Sequence, residues 1–236
     1  MKLKGVTRLG TTCLSLGVLS AGLLFGDENP AKRLKTAGVV FTEIMKTPDR
    51  SIPQELLERS ECIVIVPGMK KAAFVLGGNY GKGFMLCRQA SGFGWSAPAG
   101  VVIEGGSIGL QIGASETDVI MLVMNKRGAE KLLSSKFTLG ADASVAAGPV
   151  GRTSSADTDA KLHAEILSYS RSRGAFAGIS LEGATLRPDA DANAALYGRK
   201  LTNEQIVMGK IKSPSSGSKL ATELNRHSAR KEAQKD

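Results

Sequence analysis

Histidine, cysteine and aromatic residues are scarce in this sequence, and their scarcity excludes several kinds of site. The 236 residues include two histidines, three cysteines and one tryptophan, and aromatic residues make up only 5%. So few histidines and such widely separated cysteines cannot supply the ligand spacing of a structural zinc site. We therefore expect no metal and no cofactor. Few aromatics together with 28 glycines favour tightly packed β-structure over a helical bundle.

Excess charge is missing from the centre of the chain. The formal net charge is +9, but Lys2, Lys4 and Arg8 contribute +3 and residues 210–236 contribute +4, which leaves +2 for the body. A nucleic-acid-binding domain requires a basic body, so this class is disfavoured. Basic ends on a nearly neutral domain instead suit solubility or contact with an anionic membrane surface.

The first 26 residues have the pattern of an export signal. Basic residues precede the apolar run 9–19, and the small residues Ser20, Ala21 and Gly22 follow it. Because apolar residues continue to position 25, the stretch is also long enough to remain as a membrane anchor. We expect cleavage and a periplasmic or secreted protein, with a retained anchor as the alternative. No transmembrane segment is predicted in the body.

Two cysteines, Cys62 and Cys87, lie in the body, where an oxidising compartment would allow a disulfide. The strands predicted below place them on either side of a common middle strand, roughly 9–10 Å apart. That distance exceeds the usual Cα separation of a disulfide. Two buried free thiols are therefore expected, and a disulfide is the alternative.

An amphipathic helix is predicted at residues 29–45, with Asn29 as its cap and Pro30 in its first turn. The apolar residues near helical spacing are Leu34, Phe41 and Met45. The basic residues at its start are Lys32, Arg33 and Lys35. Two interpretations are open. The helix either packs on a sheet, or lies on a bilayer with its apolar residues inward and its basic residues at the headgroups.

The rest of the body reads as short strands separated by glycine-rich turns. A capping box at 51–54 starts a short helix that ends at residue 59. Strands are predicted at 62–66, 72–76, 81–88, 99–104, 107–115, 118–124, 137–145, 164–170 and 175–186, with turns at 67–68 and 77–80. Helices are predicted at 126–134, 189–197 and 203–209.

This order of elements predicts an α+β fold with a curved antiparallel glycine-rich sheet or open barrel, because the helices gather at the ends without βαβ alternation. We expect a domain at residues 29–209. A Ser- and Pro-rich linker near residue 213 then predicts a basic flexible tail over residues 210–236.

Three short motifs suggest chemistry and are weak on inspection. The string GGSIG at 105–109 matches the nucleophile elbow of esterases, but strand periodicity continues past Ser107, and His163 is the one histidine in the predicted body. The glycine-rich segment 77–83 lacks Walker spacing, although Lys82 could meet a lipid phosphate. The acidic segment 189–193 fails as a calcium loop and fits the N-terminus of a helix.

Four segments together resemble the SYLF lipid-binding domain family. They are WSAP at 95–98, GGSIGLQIG at 105–113, AGPVGR at 147–152 and YSRSRGAFAGISLEG at 169–183. The resemblance runs from about residue 52 to residue 197, with the segments in the family's order. It implies a domain that binds anionic phospholipids, phosphoinositides especially, and in fungal members also actin filaments, without catalysis.

Arg152, Arg171 and Arg173 lie in these segments and are the candidate phosphate ligands, because guanidinium groups bind phosphate oxygens in pairs. The alternative is pairing with carboxylates of the fold, for instance Asp142 or Glu182. We therefore expect an exported, non-enzymatic domain that binds anionic phospholipid. The rival hypothesis is an envelope scaffold that binds protein through its strand edges. Actin is disfavoured as a partner of an exported protein.

Overall fold

The computed structural model of this protein describes residues 29–46, 51–73, 76–89, 91, 94–108, 113–151, 164–172 and 175–230. The predicted export signal at 1–26 lies outside these residues, as do Arg152, His163 and Arg173.

One sheet and six helices make up the described part of the chain. The strands are β1 (Cys62–Ala73), β2 (Leu76–Cys87), β3 (Ala99–Ile108), β4 (Gly113–Val123), β5 (Phe137–Thr138), β6 (Val145–Ala147), β7 (Ile166–Ser172), β8 (Ala175–Gly178) and β9 (Thr185–Pro188). The helices are α1 (Pro30–Met45), α2 (Gln54–Arg59), α3 (Lys126–Leu132), α4 (Ala190–Tyr197), α5 (Asn203–Met208) and α6 (Ser218–His227), with a 3₁₀ turn at Ser215–Gly217.

The sheet is curled into a half-barrel and is mostly antiparallel. Its strand order is β5-β9-β3-β2-β1-β4-β7-β6, and β8 pairs with β7. The pair β6–β7 is parallel, and the other pairs are antiparallel. The predicted α+β class with a curved antiparallel sheet is confirmed.

The first two strands are longer than predicted. Two glycine-containing segments that were expected to form turns are instead part of the strands. Pro67 and Gly68 form a bulge inside β1, where the register shifts and Gly68 has a φ of 57°. Residues 77–80 pair within β2, so the glycine-rich segment 77–83 is strand and not a hairpin. A Cβ at Gly83 would lie 2.1 Å from the carbonyl oxygen of Ile65, which explains why glycine is needed beside the bulge.

The observed strand pairing brings the two cysteines closer together than predicted. Because β1 and β2 are single long neighbours, Cys62 and Cys87 lie directly opposite each other, with no middle strand between them. They form a disulfide with a Cα–Cα distance of 3.9 Å. The expectation of two free thiols was wrong, and it followed from the extra strand that the predicted glycine turns created.

Hydrophobic cores fill both faces of the sheet. On one face, α1, α2 and α6 cover side chains that include Ile63, Ile65 and Phe84. On the opposite face, the central strands pack against β5, β9 and α5. Successive residues of β1 alternate between the two cores, so the continuous apolar run 62–66 is a strand buried on both faces, as predicted.

Residues 210–230 are part of the folded domain, in contrast to the predicted flexible tail. Helix α6 buries Leu220 and Leu224, which are 1% and 0% exposed. It approaches α1 at Gly38, where a Cβ would lie 3.2 Å from the backbone nitrogen of Leu220. The composition of this segment resembles a linker, but two leucines four residues apart give α6 one apolar face.

The remaining elements differ from the prediction mainly at their ends. Asn125 caps α3 by accepting a hydrogen bond from the Gly128 nitrogen at 2.7 Å, as expected. The predicted capping box at 51–54 is absent, because Pro53 is the cap of α2 and makes no side-chain bond. The predicted strand 137–145 is divided between β5 and β6, which pair at opposite ends of the sheet, and 175–186 is divided between β8 and β9.

Candidate functional site

The apolar side of α1 packs on the sheet and not outward. Leu34 and Phe41 are both 0% exposed and lie in the core between α1, α6 and the sheet. Met45 is half-buried at the edge of the same core. Of the two interpretations of this helix, packing on the sheet is the one observed. Leu34 and Phe41 therefore do not face a membrane in this conformation.

Arg33 and Lys82, both proposed as lipid ligands, converge on one carboxylate inside the protein. Arg33 is 5% exposed and its Nη2 lies 3.7 Å from Oδ2 of Asp189. The Nζ of Lys82 lies 3.8 Å from the same oxygen. The Arg33 guanidinium also lies over the Phe84 ring, 5.7 Å from its centroid. These two cations stabilise the junction of α1, β2 and α4.

The sequence correctly predicts Asp189 at the N-terminus of a helix. It does not reveal which cation its carboxylate pairs with. Its Oδ1 accepts a hydrogen bond from the Ala192 nitrogen at 3.2 Å and caps α4, as expected of an acidic helix N-terminus. Its second oxygen faces Arg33, which lies 156 positions earlier in the sequence. No local pattern signals a pairing over that distance.

Arg171 pairs with two carboxylates, which is the alternative to phosphate binding. Its Nε and Nη2 donate to Oδ2 of Asp118 at 2.9 and 2.6 Å, and its Nη1 donates to Glu43 on α1. The partners are thus Asp118 and Glu43, and not Asp142 or Glu182. Asp118 also accepts from the Gly68 nitrogen at 2.9 Å, so the same carboxylate fixes the β1 bulge.

This pairing is reflected in the pKa values of its members. Burial lowers the pKa of Arg171, but the hydrogen bonds to Glu43 and Asp118 outweigh that effect and raise it. The hydrogen bond from Arg171 lowers the pKa of Glu43, and the charges of Lys46 and Lys219 act in the same direction. Those two lysines come from the end of α1 and the start of α6.

The outward side of α1 and the start of α6 present cations to solvent. The exposed lysines of this surface, which we name the cationic face, are Lys32, Lys35, Lys46 and Lys219. Val39 is 39% exposed and lies among the lysines of α1. The sequence pointed to Lys32 and Lys35. It missed Lys46, which lies at the far end of the helix, and Lys219, which was assigned to a flexible tail.

A second group of residues, which the sequence analysis did not identify, binds the C-terminal end of the described chain to the sheet. Arg88 is 8% exposed, lies 4.2 Å from the Trp95 ring centroid, and donates to the carbonyl of Ser228 at 2.7 Å. The Trp95 Nε1 donates to the Ser228 hydroxyl at 3.0 Å. Burial, followed by the nearby charge of Arg230, lowers the pKa of Arg88 to about 10, so its guanidinium stays protonated at neutral pH.

Two of the segments that carried the family resemblance, 147–152 and 169–183, pack against each other. A Cβ at Gly148 would lie 2.1 Å from Cζ of Tyr169, and one at Gly178 would lie 2.3 Å from the Gly148 carbonyl oxygen. Tyr169 is fully buried and stacks on Phe176 at 5.4 Å, and burial raises the pKa of its hydroxyl. These glycines therefore let one aromatic ring and two backbones approach each other closely.

The esterase motif lacks the geometry of a nucleophile elbow. Ser107 lies within β3 opposite Gly77, and the strand continues to Ile108 instead of turning into a helix at the serine. Among the described residues, no group of three or more His, Cys, Asp or Glu is placed to hold a metal ion. None of the described helices combines the length and the apolar character needed to cross a membrane.

Comparison with known proteins relates the chain to one family. Residues 104–227 match the family described as Ysc84, Las17-binding protein actin regulator. The chain is 35% identical over 203 residues to LAS seventeen-binding protein 3 of Saccharomyces cerevisiae (80% of this chain, 44% of the relative). It is 33% identical over 209 residues to Protein YSC84 of the same yeast (83% and 44%).

A similar relationship extends to animals. The chain is 31% identical over 188 residues to SH3 domain-containing YSC84-like protein 1 of Rattus norvegicus (78% of this chain, 55% of the relative). The chain thus spans about half the length of the curated relatives it matches. One of these relatives is named a binding protein, and the matching family is described as an actin regulator.

Proposed function

The chain belongs to the Ysc84 family, whose domain is the SYLF domain, and on that premise we propose that it is a non-catalytic module that binds anionic phospholipid at a membrane surface. Recognition uses the cationic face. The buried side of α1 stays in the core, so binding requires no helix to leave the fold.

The observation that carries this proposal is the concentration of charge on two packed segments. Residues 30–46 contain four basic residues and one acidic residue, and residues 210–230 contain five and one. Together they carry a formal charge of +7, or +6 without Arg33, which is buried against Asp189. Each lysine near an anionic bilayer contributes about 1 kcal/mol of attraction. The four lysines of the cationic face are therefore enough to produce measurable peripheral binding.

The proposal includes export. The signal-like pattern at 1–26 and the Cys62–Cys87 disulfide both support a compartment outside the reducing cytosol. An exported protein meets acidic lipids other than phosphoinositides, so we expect the recognised feature to be negative charge at the bilayer surface. Actin is not the expected partner there.

The test is flotation of the full chain with neutral and with anionic phosphatidylglycerol-containing vesicles. Subtracting the fraction of protein bound to neutral vesicles from the fraction bound to anionic vesicles removes any adsorption that does not depend on charge. Binding to anionic vesicles should fall steeply between low and high salt, because exposed charges are screened within about 10 Å at 0.1 M ionic strength. Equal binding to both vesicles, or no binding at low salt, would refute the proposal.

Two double variants locate the surface. Lys32→Gln with Lys35→Gln removes two charges from the cationic face, and Lys126→Gln with Lys136→Gln removes two exposed charges near α3. We expect the first pair to weaken anionic binding by roughly tenfold or more and the second to leave it nearly unchanged. Equal losses in both would indicate attraction to net charge without a defined face.

A second candidate is a protein-binding domain, which the names of the relatives favour. One yeast relative is named a LAS seventeen-binding protein, and the family is described as an actin regulator. In an exported protein the corresponding partner would be an envelope protein bound through strand edges. Such contacts are apolar and largely insensitive to salt, so pull-down at high ionic strength in the absence of vesicle binding would favour this candidate.

A further inference from the structure

One large apolar side chain is far more exposed than the other large apolar residues in the described part of the chain. Met208 is 67% exposed, against 46% for Tyr80 and 39% for Val39, the other large apolar residues exposed in the described part of the chain. It is the last residue of α5, whose Ile206 and Val207 are 0% and 4% exposed. The helix is thus anchored by its neighbours, and Met208 is held outward.

Cations surround this methionine along the chain. Lys210 and Lys212 follow it and are exposed, while Ile211 between them packs against the core. Arg199 and Lys200, before α5, are exposed as well. Over residues 198–212 the only acidic residue is Glu204, so the segment carries a formal charge of +3. An apolar tip among cations matches an anionic bilayer, with its negative headgroups above hydrocarbon.

The segment also leads directly to the cationic face. After Lys212 the chain enters the turn at 213–217, which packs on α1. A Cβ at Gly217 would lie 3.3 Å from both the Leu34 side chain and the Ser213 hydroxyl. Met208 and its two following lysines therefore lie on the segment that connects α5 to the turn packed against α1.

From this arrangement we infer that Met208 is the side chain that inserts into the bilayer, with Lys210 and Lys212 at the headgroups on either side. The inference rests on the proposed function and assigns the inserting role to Met208 in place of the buried Leu34 and Phe41. A second copy of this chain is a poorer occupant, because two segments of charge +3 would repel each other.

Insertion is measured by fluorescence quenching with vesicles whose anionic lipids carry brominated acyl chains. The full chain with Met208→Trp places an indole at the proposed tip. The full chain with Tyr80→Trp places one at an exposed site on β2, opposite Glu104. The native Trp95 is only 6% exposed and gives the same background in both. We expect quenching of the Met208→Trp signal and little change for Tyr80→Trp.

Flotation of Met208→Ser completes the experiment. Loss of one inserted apolar side chain should weaken binding to anionic vesicles by roughly three- to tenfold. If wild type binds anionic vesicles but Met208→Trp is not quenched and Met208→Ser binds normally, the inference fails and the proposed function stands. If wild type does not bind, both fail. A monomer–dimer equilibrium abolished by Met208→Ser, without quenching, would also overturn the inference in favour of self-association.

Discussion

The two sides of helix α1 differ in what they do, although they are interleaved in the same sixteen residues. The inner side places Leu34 and Phe41 in the core and Arg33 against Asp189. The outer side presents Lys32 and Lys35 to solvent. An amphipathic pattern shows that one side of a helix will be buried, but it does not identify the surface that buries it. Here that surface is the protein itself.

The largest effect is expected from truncating the inner side. Phe41→Ala should lower the free energy of unfolding by about 3–5 kcal/mol, because it removes a fully buried aromatic ring from a packed core. Val39→Ala, two residues away on the outer side, is the matched control and should change it by less than about 0.5 kcal/mol. Chemical denaturation of both variants measures the difference. Equal effects would mean that α1 is not packed as described.

The next effect concerns the buried charges beneath α1. Asp189→Asn should cost about 3 kcal/mol, because Arg33 and Lys82 would lose the carboxylate on which they converge. Asp191→Asn removes the same charge from the same helix terminus at an exposed position, so it controls for the helix dipole. Thermal and denaturant melts compare the two. A cost no greater than that of Asp191→Asn would show that the buried cations need no carboxylate.

A smaller effect should depend on pH. The pKa of Glu43 is lowered by its bond from Arg171, so the folded state favours the carboxylate form. The resulting stability is fully present above the unfolded value of about 4.5 and is lost as pH falls through the lower folded pKa.

Glu43→Gln should therefore be less stable than wild type at pH 6, and the gap in free energy of unfolding should narrow as the pH falls below about 4.5. Denaturant melts across this range measure it. Glu130→Gln removes an exposed carboxylate from α3 and serves as the control. A gap that widens on acidification would contradict the assigned sign.

The smallest effect on stability is expected from the outer side. Lys32→Gln with Lys35→Gln should change the free energy of unfolding by less than about 0.5 kcal/mol, because exposed charges contribute little to the fold. The same variant is expected to lose anionic vesicle binding. The inner side of α1 would then determine stability, and its outer side would determine vesicle binding. A large loss of stability would mean that the outer lysines are structural, and the vesicle result could not be assigned to recognition.

Much of the fold could be predicted because local patterns determine it. Asn29 and Asn125 cap their helices, and the apolar run 62–66 is a buried strand, as their sequences indicate. The glycines of β1 and β2 misled the prediction, since a glycine in a sequence can mark either a turn or a close approach of two backbones. The Gly83–Ile65 approach decides between these options and is visible only in three dimensions.

The candidate site was predictable in residue type and not in partners. Arg171 was expected to bind either phosphate or a carboxylate of the fold, and its observed partners Asp118 and Glu43 are 53 and 128 positions away. Arg33 was chosen with its lysine neighbours because all three are basic, yet it lies on the buried side of the helix. The charge of a side chain can be read from the sequence. Its exposure depends on contacts with residues that are distant in the chain.

The contact between Trp95 and Ser228 links residues 133 positions apart, and it imposes an order on folding. The ribosome delivers the chain from its N-terminus, so α1 emerges long before Leu220 and Leu224. Until those leucines arrive, one flank of α1 has no cover and its apolar residues stay available to chaperones. The domain thus completes its tertiary structure only after α6 and Ser228 have been synthesised.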